Sequence, residues 1–570
     1  MADLQITPTL KARRAFRAPA GARAWSDRIT PNRVIVAITM LGLALRFYYL
    51  SRPGFLFGVT EYDDGSYVGS AIRLVHGQLP YRDFVFVQPP GITLLMVPVA
   101  LVAKVTGTAW GMALGRILTV LAGSAGVAAA GLLARHRGRA AVLVACGISA
   151  VHPESVAAAH TVLVEPWLVL FCLIGALLSF EGDRLASGRR LAWGGLVFGF
   201  AGVIESWAIV PVVVLIALSA RRPRRAAAFA GAVAAGFLVP TLPFAALAPA
   251  SFYQSVVVAQ VGSRLNATRI YSLYRIRLMT GLSDVLHPAN SLVLGATIAI
   301  AGVVLASAVV AWLRTSQLPP ALDWFCAATG GLIAVAFLWP PQFHYHFVAF
   351  LVPFLALSVA LATSRLLTAL GAPGREAAAG ETLRRGACVL AAIGIALAAV
   401  MQADYERTQQ SSINPAELAA VRRAIPPGAC VLADEVSYLV VADRFVSDVP
   451  DCPAIDDGTG VNYALSHGLS TATGAGRVHP VAALWHSAFV RAEFVWLSYH
   501  AFKRIPWTPP IVSYFHAHFT RVRGLAPGIS LYRRRPEARR PEARRLEARR
   551  PEARHGRRGA QPRNESGTVG

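Results

Sequence analysis

The chain has 570 residues with a formal net charge of +24, and is 55% apolar but only 15% charged, where soluble proteins carry about a quarter charged residues. At a mean hydropathy of +0.48 it lacks the polar surface that several soluble domains would need, and its repeated long apolar runs indicate a polytopic membrane protein. Much of the charge lies at the ends, with 13 Arg against five Glu from Arg533 onward and seven basic residues against Asp3 and Asp27 in 1–33; no recognition module accompanies it, so topology and a solvated tail account for it and nucleic acid is not an expected partner.

Residues 1–32 are polar and basic and show no cleavable signal pattern. The first apolar run, 33–50, reads as a signal anchor with a cytoplasmic N-terminus. Further apolar segments fall at 91–106, 111–134, 139–151, 161–180, 191–219, 226–247, 291–313, 321–339, 347–366 and 387–401. They predict about 11 transmembrane helices over 33–401, although 91–106, 139–151 and 387–401 are short for a hydrocarbon core about 30 Å thick. Arg221, Arg222, Arg224 and Arg225 mark one cytoplasmic loop, and Arg365, Arg375, Arg384 and Arg385 another. The loops 51–90, 248–290 and 340–346 and everything after 402 are then outside. Two schemes remain for the N-terminal half: 91–106 does not span and 191–219 is broken around Glu205, or 91–106 spans and 191–219 is one long helix.

Residues 402–535 read as a small extracytoplasmic α/β domain. Pro415–Ala424 has helical spacing, and strands are expected over Cys430–Asp434, Phe494–Ser498 and Ile529–Arg533. Outside the membrane, Cys430 and Cys452 could form a disulfide, whereas Cys146, Cys172, Cys326 and Cys388 sit in apolar runs as packing residues. From 536 to 570 an Arg-Pro-Glu-Ala-Arg repeat predicts a disordered basic tail, because recurrent proline prevents a continuous helix. Only three lysines occur, Lys11, Lys104 and Lys503, a bias of GC-rich genomes.

The first outside loop holds an unusual concentration of acids: Glu61-Tyr62-Asp63-Asp64-Gly65, then Tyr81-Arg82-Asp83-Phe84, then Gln88-Pro89-Pro90-Gly91. Tyr67, Ala71 and Val75 recur at helical spacing, with Gly77 as a stop, so a short surface helix should carry the acids at its start. Pro89-Pro90-Gly91 then opens the next segment. Simple capping by Asp63 and Asp64 is the bland alternative. Three more clusters lie on or near the same face. They are His152, Glu154, His160 and Glu165; His344-Tyr345-His346; and the arginines Arg264, Arg269, Arg275 and Arg277 in the second long loop. A divalent metal is one use of His-Xaa-His with carboxylates, and sugar binding or aromatic packing the favoured one. Glu205 is an acid inside an apolar run, which is expensive and usually functional.

The acid loop after the first membrane helix resembles that of the GT-C superfamily of integral-membrane glycosyltransferases, in particular its protein-mannosyltransferase and aminoarabinose-transferase branch. The resemblance implies transfer of a sugar from a polyprenyl-phosphate donor to a glycan, lipid or protein acceptor of the cell envelope, with no required cofactor. Asp63 or Asp64 would be the general base of a single inverting displacement, and Asp64 is preferred over Asp63. Tyr81, Arg82, Asp83, Gln88, Glu165, Arg269, Arg275, His344 and His346 would bind substrate, the arginines serving the departing phosphate. Rival readings are a transporter or flippase for lipid-linked intermediates and a non-catalytic, membrane-anchored envelope-binding protein. Sugar and acceptor are not encoded in any single motif.

Overall fold

The computed structural model describes residues 30–260, 270–282, 289–316, 318–341, 343–370, 377–411, 413, 415–456 and 479–536. The predicted repeat tail, Arg264 and Arg269 lie outside the described residues.

Helix α1 (Pro31–Leu50) starts where Thr30 accepts the Arg33 amide and proline occupies the first turn, a position that does not need a donor. Helix α2 (Tyr62–Val75) is the short acid-bearing helix anticipated from the Tyr67, Ala71, Val75 spacing; it ends at His76, followed by Gly77 at φ 86°. Pro90 caps α3 (Gly91–Thr106). Helix α4 (Thr108–Ala134) follows directly; its 27 residues reach about 40 Å. Then come α5 (Arg139–Val151), α6 (Pro153–Ala157), α7 (Val164–Ser179), a two-residue hairpin of β1 (Phe180–Glu181) and β2 (Arg184–Leu185), and α8 (Arg189–Ile204).

The run 191–219 is not one helix. Glu205 is extended (φ −157°, ψ 139°), and its carboxylate accepts the amide and hydroxyl of Ser206, which caps the turn leading into α9 (Ile209–Ser219). An acid in an apolar run is thereby used to satisfy the backbone where the helix breaks. The bundle continues with α10 (Pro223–Leu247), α11 (Ser272–Met279), α12 (Asn290–Thr315), α13 (Ala321–Leu338), α14 (Val348–Leu370) and α15 (Ala377–Arg407). Among the described residues seven helices are long and apolar enough to cross a membrane, and Gly91–Thr106, Arg139–Val151, Val164–Ser179 and Ser206–Ser219 are apolar but shorter. Helix α14 is the central one, with 78% of its most apolar window buried. At the end of the bundle remote from α2, Arg137 and Arg365 both pair with the buried Asp323, and Arg137 also with Asp183.

The C-terminal region carries α16 (Pro415–Ala424), β3 (Val431–Ala433), α17 (Val436–Val441), α18 (His479–Arg491), β4 (Phe494–Leu497), α19 (Pro509–His518), β5 (Phe519–Arg521) and β6 (Ser530–Arg534). The sheet order is β3-β4-β6-β5, parallel between β3 and β4 and antiparallel elsewhere. Three strands follow the sequence expectation. The fourth, β5, is a three-residue edge strand that continues directly from α19, too short for any alternation to show. Cys430 and Cys452 are joined by a disulfide, with their Cα atoms 5.5 Å apart.

Candidate functional site

The acid loop is built around one arginine. Arg116, fully buried in the N-terminal half of α4, donates from Nη1 to the carbonyls of Phe55 (2.6 Å), Leu56 (3.1 Å) and Gly58 (2.9 Å). From Nη2 it reaches Thr60 Oγ1 (3.0 Å) and Asp64 Oδ2 (2.6 Å). A charge this deep needs a partner, and Asp64 supplies it. The same carboxylate also accepts from Thr60 (3.0 Å), Thr161 (2.6 Å) and, at Oδ1, Ser437 (2.7 Å). Asp64 is therefore closed off from solvent and spoken for on both oxygens.

Asp63 is placed differently. Its side chain is 34% exposed, and Oδ2 lies 4.0 Å from Nε2 of His346. The other ring nitrogen, Nδ1, is 2.7 Å from Oε1 of Glu165. A carboxylate can only accept, so Nδ1 carries the proton and Nε2 faces Asp63. Glu165 sits in the first turn of α7, where the helix dipole favours an acid, and its Oε2 is buried without a hydrogen-bond partner among the described residues. Tyr345 completes the cluster by donating to Glu61 Oε2 (3.2 Å). Burial pushes the Glu61 carboxyl above its ordinary range, opposed by the nearby His346. Burial likewise lowers His344 to about 4, and it stacks on His346 with ring centroids 5.4 Å apart. Among the described residues no group of three or more His, Cys, Asp or Glu side chains is arranged to hold a metal ion.

The remaining predicted residues divide. Tyr81 adopts φ 68° and donates to the Gln88 carbonyl (2.6 Å), and the Gln88 side chain reaches toward the Tyr67 hydroxyl (3.5 Å). Asp83 accepts from Arg82 and from the Leu79 amide (2.7 Å) and is held below the usual carboxylate range by Arg82. These residues shape the loop's own turn, in which Arg82, its side chain 47% exposed, is held by both oxygens of Asp83. Arg275 does not present a free guanidinium. It is fully buried and donates to the carbonyls of Ile270, Phe337, Pro340 and Pro341, tying α11 to the end of α13.

An apolar cavity of about 620 Å³ opens between α8, α9 and α10. Pro89, Glu205, Ser206 and Gln260 are among its lining residues, and Gln260 donates to the Val87 carbonyl (2.9 Å). The cavity wall formed by the segment after α10 is therefore tied to the end of the acid loop. Trp207, next to Ser206, packs edge-on against Phe347, which in turn contacts His346 with ring centroids 5.0 Å apart. A chain of aromatic contacts thus runs from the acid–histidine cluster to the helix break that lines the cavity.

Sequence reasoning missed Arg116, Thr60, Thr161 and Ser437. An arginine inside the apolar run 111–134 was a usable signal, since such a charge is expensive without a partner. Ser437 lies 373 residues from Asp64 along the chain and carried none.

Comparison with known proteins places this geometry. Residues 86–338 match the model of glycosyltransferase family 87. No curated protein matches the sequence. Among solved structures the chain is similar to ArnT from Cupriavidus metallidurans in the apo state, at 14% identity and TM-score 0.56, covering 91% of this chain and 99% of that one. It is also similar to the same protein bound to undecaprenyl phosphate, at 14% identity and TM-score 0.55, covering 88% and 98%. A third likeness is to the apo oligosaccharyltransferase of Archaeoglobus fulgidus, at 12% identity and TM-score 0.50, covering 89% and 75%. At such identities the likeness is one of fold. The chain is a multi-pass helical membrane protein with the GT-C fold of integral-membrane glycosyltransferases, as its acid loop led us to expect.

Proposed function

We propose that the protein transfers a sugar from a polyprenyl-phosphate carrier to an envelope glycan, lipid or protein acceptor, by a single inverting displacement in which Asp63 is the general base. The observation that carries this reading is the contrast within the acidic pair. Asp64 is fully buried and consumed by Arg116, whereas Asp63 is 34% exposed and backed by the His346–Glu165 pair, which aromatic contacts join to the helix break lining an apolar cavity. The preference for Asp64 formed from sequence therefore passes to Asp63.

In the reaction an acceptor hydroxyl oxygen attacks the anomeric carbon. Asp63 takes the hydroxyl proton, and the sugar–phosphate C–O bond breaks on the opposite face, its electron pair leaving with polyprenyl phosphate. Burial disfavours a charged His346, but Glu165, Asp63 and Glu61 outweigh it and raise the ring to about 9, so that it carries a second proton on Nε2 and supports the negative charge of Asp63 before transfer. Arg82, half-exposed and paired with Asp83, is the cation that would turn to the departing phosphate. The apolar cavity suits a prenyl chain, and the ArnT structure bound to undecaprenyl phosphate makes a carrier of this class reasonable for the fold. The Cys430–Cys452 disulfide favours an oxidising, extracytoplasmic compartment for the C-terminal domain and the acid loop beneath it.

The test is direct. Membranes containing the protein are supplied with radiolabelled undecaprenyl-phosphate mannose, arabinose and related sugars, and the glycosidic configuration of the product is determined. The reading requires transfer from one of these donors with inversion, and retention of configuration would contradict the mechanism. Transport is the rival that shares a broken helix next to a cavity; it predicts that the intact donor changes leaflet without release of polyprenyl phosphate.

A further inference from the structure

Three residues of α2 at four-residue spacing, Gly65, Gly69 and Arg73, turn toward the C-terminal domain. A Cβ on Gly65 would lie 2.2 Å from the Ser437 backbone nitrogen and 2.3 Å from its Oγ, and one on Gly69 would lie 2.9 Å from the Phe445 ring. Arg73 pairs with the buried Asp456 and stacks over Phe445 at 4.6 Å. At about 100° per residue, Asp63 projects about 200° away from Gly65, so the face opposite this contact is the one that carries the part-exposed acid.

Ser437, the second residue of α17 and fully buried, grips the turn between. Its hydroxyl accepts the Gly65 amide (3.0 Å) and lies 2.8 Å from the Glu61 carbonyl, 3.1 Å from the Tyr62 carbonyl and 2.7 Å from Asp64 Oδ1. Its single proton serves one of these three acceptors at a time. Gly65 N–H and Glu61 C=O are the two ends of what would be the first i→i−4 bond of the helix, and Ser437 contacts both. Glu61, at the N-cap, makes no capping bond with its own side chain. The cap comes instead from the C-terminal domain, and the turn it closes contains Asp63.

We propose that Ser437 is a positioning residue for the transfer reaction, through which the C-terminal domain sets the turn bearing Asp63. This rests on the reading of Asp63 as the base. Without the hydroxyl, the Gly65 amide and one Asp64 oxygen lose a buried partner, and the turn can move Asp63 relative to His346. A shift of about 1 Å in a reacting group can cost on the order of 100-fold in rate.

The test compares Ser437→Ala and Ser437→Cys, which retains a weak donor, with Phe445→Ala, which loosens the domain contact away from the turn. Amide hydrogen exchange is followed in peptides spanning 60–66 and 68–75. kcat and KM are measured with whichever undecaprenyl-phosphate sugar the wild type uses. S437A should speed exchange over 61–65 by roughly tenfold or more while 68–75 stays protected, with kcat down about 10- to 100-fold, KM little changed, and S437C intermediate. Unchanged exchange over 61–65 would overturn the proposal. So would exchange rising equally along all of α2 as in F445A, or faster exchange with wild-type kcat. Full activity in Asp63→Asn would sink the base assignment instead, and the exchange pattern of S437A would still decide whether Ser437 holds the turn.

Discussion

Replacing Asp64 by asparagine should cost the protein stability before it costs chemistry. Asparagine keeps the shape of the side chain but removes the charge that faces Arg116 at 2.6 Å, with both side chains fully buried. It also puts an amide NH2 among donors, since Arg116, Thr60, Thr161 and Ser437 all approach this carboxylate. Two charges at that separation attract by about 6 kcal/mol at an effective dielectric constant of 20. Most of that offsets desolvation, and what a variant loses by leaving one charge alone is about 3–5 kcal/mol. The carbonyls of Phe55, Leu56 and Gly58 continue to hold the guanidinium, which puts D64N at the lower end of the range and D64A, with its added cavity, at the upper. The assay is thermal unfolding of the detergent-purified protein, with D63N melted in parallel. D64N should melt well below wild type and D63N within error of it. A D64N protein that melts like the wild type but transfers no sugar would refute the division of labour, because it would make Asp64 a reacting group and not a buried counter-ion.

Other expectations follow from single contacts. His160, packed against Tyr49 and Phe55, has its pKa lowered to about 4 by burial. Between that value and the unfolded value of about 6.5 the unfolded chain binds a proton that the folded one refuses, so stability is complete above about 6.5 and falls toward pH 4, by up to about 1.4 kcal/mol per unit. Wild type should lose more thermal stability between pH 7 and pH 5 than His160→Phe, and equal losses would count against the assignment. Cys430→Ser opens a loop spanning 22 residues, which is worth about 3 kcal/mol by loop entropy; faster proteolysis near 451–456 than in wild type checks it. Ala234→Trp fills part of the cavity between α8 and α10. It should weaken undecaprenyl phosphate binding by about tenfold or more with an unchanged melting temperature, whereas unaltered binding would place the lipid elsewhere.

The parts of this fold that were legible from sequence are those decided locally. The Tyr67, Ala71, Val75 period, the Pro90 start of α3 and the β-branched and aromatic residues of β4 all express preferences of the segments themselves. The acid at Glu205 was legible as an oddity, and only the structure shows it capping the turn after a helix break. The choice between Asp63 and Asp64 was out of reach. Neighbouring helical residues point about 100° apart, and which of them meets Arg116 depends on how α2 lies across α4. Arg275 illustrates the same limit from the other side. An arginine in an aromatic-rich loop looks like a phosphate ligand, yet its guanidinium is used up by four backbone carbonyls, three of them brought in from a different helix end. The site's dependence on Ser437 was equally hidden, because a serine in a distant domain has no periodicity or motif to announce it.

The measurement that bears most directly on the central claim is sugar transfer by D63N beside D64N, each normalised to folded protein and assayed with the undecaprenyl-phosphate donor that the wild type consumes. Loss of a positioned general base costs about 100- to 10,000-fold in kcat. We expect that loss in D63N at wild-type stability, and in D64N a reduced yield of folded protein with the surviving fraction still active. Near-wild-type turnover by D63N, with the loss falling on D64N alone, would contradict the assignment of Asp63 as the base.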